Sequence, residues 1–230
     1  MNEYLITGFS SPICRNLSLV SVAASCPRCG GPVRPPDLMH SDWRCAHHGP
    51  VSPYRAPAHI NAAVLATVRG RSRVPLWCLW PLLPAWMVTG VGWAGDERTG
   101  ARATAVACSG PGPLESGPAD VVLVAEEPGV GLGSRFAGLT GVDPGPGLAE
   151  SQPHAHVTIG GHPAPLWLVP SPPDRSVHAG EANGCWIYAV TWPASAGYLL
   201  VEDVGLHDLA DSVPSALVFG APSPYLHGEA

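Results

Sequence analysis

The chain has 230 residues, of which 27 are Gly and 27 are Pro, yet 46% are hydrophobic and eight are Trp. This combination excludes a disordered or fibrous polymer and describes a turn-rich globular protein with apolar area for one core plus a small satellite module. Lysine is absent and all twelve cations are Arg, which excludes Schiff-base chemistry, a Lys-held pyridoxal phosphate and a P-loop lysine. The net charge of −6 hides a division along the chain. Residues 26–73 carry seven Arg against Asp37 and Asp42, a local charge of +5, whereas residues 74–230 carry four Arg against fifteen acids, a local charge of −11. A basic module packing on its own acidic body accounts for this more simply than a nucleic-acid surface does.

Residues 1–25 lack the charged n-region of a signal peptide and are predicted to be a disordered tail ahead of a cytoplasmic protein. Residues 26–55 form the next unit. Cys26 and Cys29, then Cys45 and His48, make a C-x2-C-x15-C-x2-H pattern. Two residues between the members of a pair let one tight knuckle turn both side chains toward the same ion, and three sulfurs with one imidazole satisfy tetrahedral Zn2+. His47 competes with His48 as fourth ligand; the spacing that mirrors the first pair selects His48. Gly30 and Gly49 follow the two pairs, where left-handed backbone lets amides point at sulfur. Four protein ligands close the shell, so the site is predicted to be structural. So small a module has almost no core of its own, and metal binding supplies most of its folding free energy. Trp43 is expected to cover one side of the knuckle.

Residues 56–73 contain the clearest helix, His59 to Arg69, with Ile60, Val64, Leu65 and Val68 at helical spacing and Gly70 as a stop. The uncharged run at 74–95 reaches the length of a membrane span, but Pro75, Pro81 and Pro84 interrupt it, and no membrane span is expected. From there the body, residues 74–215, reads as short strands: Trp86–Trp93 and Ala101–Cys108 as a hairpin, then Asp120–Glu126, His156–Ile159, Leu166–Val169, Cys185–Trp192 and Tyr198–Glu202. Strands without intervening helices imply an antiparallel sheet or sandwich, so the fold class is α+β, mainly β: a small zinc ribbon on a β-rich body with few helices. Residues 216–230 read as a C-terminal tail.

The opening CPRCGG, the close WRCAHHG and the later runs TGVGWAGDERTGARATAVACSGPGPL and LVAEEPGVGLGSRFAG resemble an uncharacterised family of actinobacterial proteins over roughly residues 26–210. The resemblance implies a zinc-ribbon-like N-terminus and a body of unknown function. Members sometimes carry the label phosphotransacetylase; true phosphotransacetylases are longer α/β enzymes, whereas this body reads as antiparallel β. Residues 1–25 depart from the family pattern.

Weaker features remain. Gly129, Gly131 and Gly133 follow a strand and can expose amides to an anion with Arg135 as counter-charge, although a bend forced by close backbone approach explains the glycines equally. His154 and His156 share one strand face near His162, which reads as a solvated edge rather than a metal site. Cys78, Cys108 and Cys185 sit in apolar surroundings as small buried hydrophobes. The pairs Asp96-Glu97, Glu126-Glu127 and Glu202-Asp203 point to opposite faces of a strand and mark exposed edges. The Trp set reads mainly as core. These features describe a cytoplasmic binding or scaffold protein with a protein partner and a structural zinc ion. The alternatives are an enzyme with a phosphate or acyl-phosphate pocket at the glycine loop, and nucleic-acid contact through the basic module.

Overall fold

The central strands of the body are apolar on both faces, so both faces need cover, and the rest of the chain supplies it. The computed structural model describes residues 22–113, 117–202 and 204–227. Residues 1–21, most of the expected N-terminal tail, lie outside the described residues.

Three two-residue strands, β1 (Val33–Arg34), β2 (Arg44–Cys45) and β3 (Gly49–Pro50), form a separate antiparallel sheet in the order β1-β2-β3. The body is built on β4 (Tyr54–Arg55), β5 (Trp77–Leu79), β6 (Met87–Asp96), β7 (Gly100–Pro111), β8 (Pro118–Glu126), β9 (Ala155–Ile159), β10 (His162–Leu168), β11 (Ser176–Ala182), β12 (Cys185–Trp192) and β13 (Val204–Asp208). Their order is β4-β6-β7-β8-β12-β11-β10-β9-β13-β5, antiparallel throughout except for the β9–β13 pair. Strand β5, at one end of this ladder, returns to pack on β7 and β8, so the sheet rolls over itself.

In β8 the alternation is explicit. Val121, Leu123 and Ala125 enter one apolar core with β5, β13 and helix α1 (Ala62–Arg69), while Val122 and Val124 enter a second core with helix α2 (Leu132–Ala137). Helix α1 starts three residues later than the apolar spacing suggests, because the Asn61 side chain accepts the Val64 amide at 2.9 Å and caps it there.

Two expectations are corrected. Residues 198–202 are not a strand: Ala194–Leu200 is a 3-10 helix that buries Ala196, Gly197 and Leu200. That helical spacing is hard to tell from alternation in a short apolar run. The strand lies just beyond, in β13. The expected C-terminal tail is also built into the body up to residue 227. The Val88 amide donates to Val218 O, the Gly220 amide to Val88 O, and Leu226 is buried against the Gly90 backbone. Glycine at 90 is required there, because a Cβ would lie 2.3 Å from Leu226 Cδ1. Among the described residues no helix is long and apolar enough to cross a membrane.

Candidate metal centre

The two knuckles bring Cys26, Cys29, Cys45 and His48 together, with one ligand atom from each and all four atoms within 4.8 Å of one another. Cys26 Sγ lies 3.6 Å from His48 Nδ1, Cys45 Sγ 3.6 Å from the same nitrogen, and Cys29 Sγ 3.7 Å from Cys45 Sγ. This cluster can hold a metal ion. His48 rather than His47 joins it, through Nδ1. Gly30 and Gly49 adopt φ of +72° and +67°, the left-handed turns that the knuckles need. Inside the first knuckle the Gly30 amide donates to Cys26 O at 2.8 Å and the Cys26 amide to Gly31 O at 2.7 Å.

The two buried sulfurs differ electrostatically. Burial pushes the Cys26 thiol up to about 11, against the lowering effect of the Arg28 and Cys29 amides. Desolvation also acts to raise Cys45, but the His47 amide, the His48 side chain and the His48 amide outweigh it and bring Cys45 down to about 6. Amides aimed at sulfur are what a metal thiolate uses to spread its charge.

The ribbon is fastened to the body by arginines spaced far from their partners in sequence. Arg28 donates from Nη2 to Gly129 O at 2.7 Å and from Nε to Val130 O at 3.3 Å. Arg135, on α2, donates from Nη1 to Cys26 O at 3.5 Å, and its guanidinium lies over the rings of Tyr54 and Phe136 at 4.7 and 4.8 Å. Arg55 lies over Trp43 at 5.0 Å, and Arg98 pairs with Asp42 at 3.0 Å. Ser25 and Tyr54 exchange backbone hydrogen bonds at 2.9 and 2.8 Å, while β4 joins β6.

The glycine loop has a different occupant from the one its sequence suggests. The amides of Leu132 and Gly133 donate to Glu126 Oε2 at 2.7 and 3.2 Å, so an internal carboxylate already takes both donors. Arg135 turns away from these amides toward the ribbon. Gly133 is held by close approach, since a Cβ would lie 2.1 Å from Tyr188 Cδ2, and Gly129 and Gly131 adopt φ of +87° and +86°. A cavity of about 170 Å3 does include Gly129, between the ribbon and the body, together with Arg28, Arg98 and Arg102. All three arginines are engaged: Arg28 by the two carbonyls, Arg98 by Asp42, and Arg102 by Glu127 at 2.7 Å.

Glu126 is the residue whose role sequence reading missed. It is fully buried, not on an exposed edge, and desolvation raises its pKa to about 7 despite the two amides; Asp143 pushes in the same direction. Among the described residues its Oε1 has no hydrogen-bond partner. Glu127, on the opposite face, is half-exposed in the ion pair with Arg102. Cys78 and Cys108 are buried with their sulfurs 3.7 Å apart, and Cys185 is buried as well. His156 and His162 are exposed, and His154 Nδ1 accepts the Leu168 amide at 3.3 Å.

No curated protein and no solved structure matches the chain. A family of unknown function, DUF6758, matches residues 20–226, a span that contains the ribbon, its arginine fastenings and both cores of the body. The chain belongs to that family.

Proposed function

We propose that Cys26, Cys29, Cys45 and His48 hold a structural zinc ion that folds the ribbon and fixes it to the body, and that the protein serves in the cytoplasm as a binding or scaffold protein. The observation that carries the metal assignment is the set of ligand separations. A tetrahedral zinc ion with Zn–S of about 2.3 Å and Zn–N of about 2.0–2.1 Å has S···S edges of about 3.8 Å and S···N edges of about 3.6 Å. One S···S separation of 3.7 Å and two S···N separations of 3.6 Å match these edges, and all four ligand atoms lie within 4.8 Å of one another. Three soft sulfurs favour zinc over calcium or magnesium, which take oxygen ligands. With four protein ligands there is no open position for water or substrate, and the ion supplies folding free energy rather than chemistry. Reduced thiolates of this kind fit a reducing compartment.

Support for the binding role lies at the tip of the ribbon. Asp37 Oδ1 accepts the amides of Met39 and His40, both at 2.8 Å, and the resulting turn presents Leu38 and Met39 to solvent at 104% and 85% exposure. Two adjacent large apolar side chains held out by a closed turn suit a protein partner. The nucleic-acid reading has less to draw on. Arg34 and Arg44 are exposed and directly opposed across β1 and β2, but Arg28 is committed to body carbonyls.

Native mass spectrometry of the reduced chain tests the metal assignment, with one zinc per chain expected and loss of zinc expected in Cys26→Ser. An apo chain with an intact ribbon sinks it. The binding role is tested by affinity capture with the native chain and with a Leu38→Asp, Met39→Asp variant. A partner retained equally by both removes the ribbon tip from the interface.

A further inference from the structure

A second cavity, of about 750 Å3, lies on the face of the sheet opposite α1 and is unrelated to the metal cluster. Its floor is three adjacent strands, with Trp167 on β10, Glu181 on β11 and Trp186 on β12, where Glu181 and Trp186 are direct cross-strand partners. Its rim is the segment after α2, which contributes Asp143 and Leu148. That rim is fixed at two points. Asp143 Oδ1 accepts the Gly129 amide at 2.9 Å, and the Trp167 indole N–H donates to Ser151 O at 2.8 Å.

Among the described residues the lining contains two carboxylates and no cationic residue. Among the described residues neither Asp143 nor Glu181 has an Arg or His within ion-pair distance. The fully buried Glu126 is the cross-strand neighbour of Trp186 on its other side and brings no positive charge to this face. An anionic ligand is repelled there. A hard divalent cation needs several converging oxygens, and among the described residues no cluster of carboxylates converges in that way; the one metal-competent cluster is the sulfur and imidazole set at the ribbon. An organic cation satisfies the whole lining, because its charge meets the carboxylates and the electron-rich indole faces while its alkyl groups meet Leu148, Pro146 and Pro165.

We infer that this cleft is a binding site for an organic ammonium group, held between the Trp167 and Trp186 indoles and the carboxylates of Asp143 and Glu181.

The test uses the full zinc-loaded chain and three probes: choline, butylammonium, and 3,3-dimethylbutan-1-ol, the uncharged isostere of choline. Binding is followed by calorimetry and by NMR contacts between the probe methyl protons and indole protons. At least one ammonium probe is expected to saturate the site and to show contacts to Trp167 and Trp186. The isostere is expected to bind about tenfold more weakly than choline, the effect of one cation–π and charge contact. Glu181→Gln combined with Asp143→Asn is expected to weaken ammonium binding about tenfold or more without changing zinc content or thermal midpoint. The Asn in that variant keeps an oxygen for the Gly129 amide. Equal affinity for choline and its isostere overturns the inference. So does the failure of both ammonium probes to saturate below about 10 mM, the weak limit of specific small-ligand recognition, or saturation with contacts elsewhere.

Discussion

Arg135 lies directly beneath Cys26: its Nη1 reaches the Cys26 carbonyl at 3.5 Å, and its Nε and Nη2 are buried without a hydrogen-bond partner among the described residues. A zinc ion bound by three thiolates and a neutral imidazole carries a net charge of −1, and Arg135 is the buried cation placed to balance it. Desolvation acts to lower the guanidinium's pKa, and Tyr54, Cys26 and Cys29 act against it. Arg135→Met is expected to speed zinc loss to a chelator by about 10–100-fold, the usual effect of removing an outer partner of a metal ligand. Arg135→Lys keeps the charge and restores part of the difference. Identical chelation rates in the native chain and both variants count against this role.

Metal removal is expected to unfold the ribbon and leave the body standing. Among the described residues neither apolar core contains a residue from positions 26–50, so that segment has only its short-strand and knuckle hydrogen bonds, the arginine fastenings and the proposed metal to hold it. Hydrogen exchange after chelation should show rapid exchange in residues 26–50 with continued protection in β8 and β12. Loss of protection in the central strands would mean that the ribbon is part of the cooperative unit.

Glu126 gives the protein a stability that falls as pH rises. The unfolded carboxyl releases its proton near 4.5 while the folded one holds it to about 7, so between these values the folded state binds more protons. The loss begins near pH 4.5 and is complete above pH 7, amounting to about 3 kcal/mol. Glu126→Gln keeps an acceptor for the Leu132 and Gly133 amides and is expected to be more stable than the native chain at pH 8 by a similar amount, with little difference at pH 4. Urea unfolding across this range decides the matter; parallel curves refute it.

His178 acts in the opposite sense. It is 5% exposed, its Nδ1 has no partner among the described residues, and desolvation, aided by the charge of His154, lowers its pKa to about 4. The unfolded imidazole takes up its proton near 6.5, so stability is fully present above that pH and is lost as pH falls toward 4. His178→Leu is expected to flatten the acid limb of the stability curve by about 3 kcal/mol between pH 6.5 and 4. An unchanged acid limb in that variant excludes His178 as its source.

The C-terminal segment is expected to contribute strongly to stability. Leu226 is 1% exposed over Gly90, its carbonyl accepts the Tyr54 hydroxyl at 2.9 Å, and the neighbouring Tyr225 stacks on Trp192 at 4.3 Å. Leu226→Ala leaves a cavity and is expected to cost about 2–5 kcal/mol. A chemical-unfolding midpoint unchanged by that substitution would return residues 218–227 to the status of a tail.

What was legible in the sequence was local. The Cys3His cluster is two knuckles, each closed within four residues, and spacing alone names its four members. The β6–β7 hairpin and β12 follow from apolar runs between turn residues. Strand β11 is missing from the expected strands because Ser176–Ala182 is too mixed in polarity to read as a strand by itself; the Asn183-Gly184 turn, with φ of +53° and +71°, is a hairpin signal not drawn on for it.

The amino-acid sequence by itself determined the members of the Cys3His cluster, the β-rich class and the position of six of the ten body strands, because each depends on contacts within a few residues. Only the tertiary structure decided that Glu126 is buried beneath α2, that Arg135 serves the ribbon rather than the glycine loop, and that Trp167, Glu181, Trp186 and Asp143 line one cleft. Those outcomes depend on strand order and on which face of the sheet is covered. Contacts between residues tens of positions apart set both, and local spacing carries no trace of them.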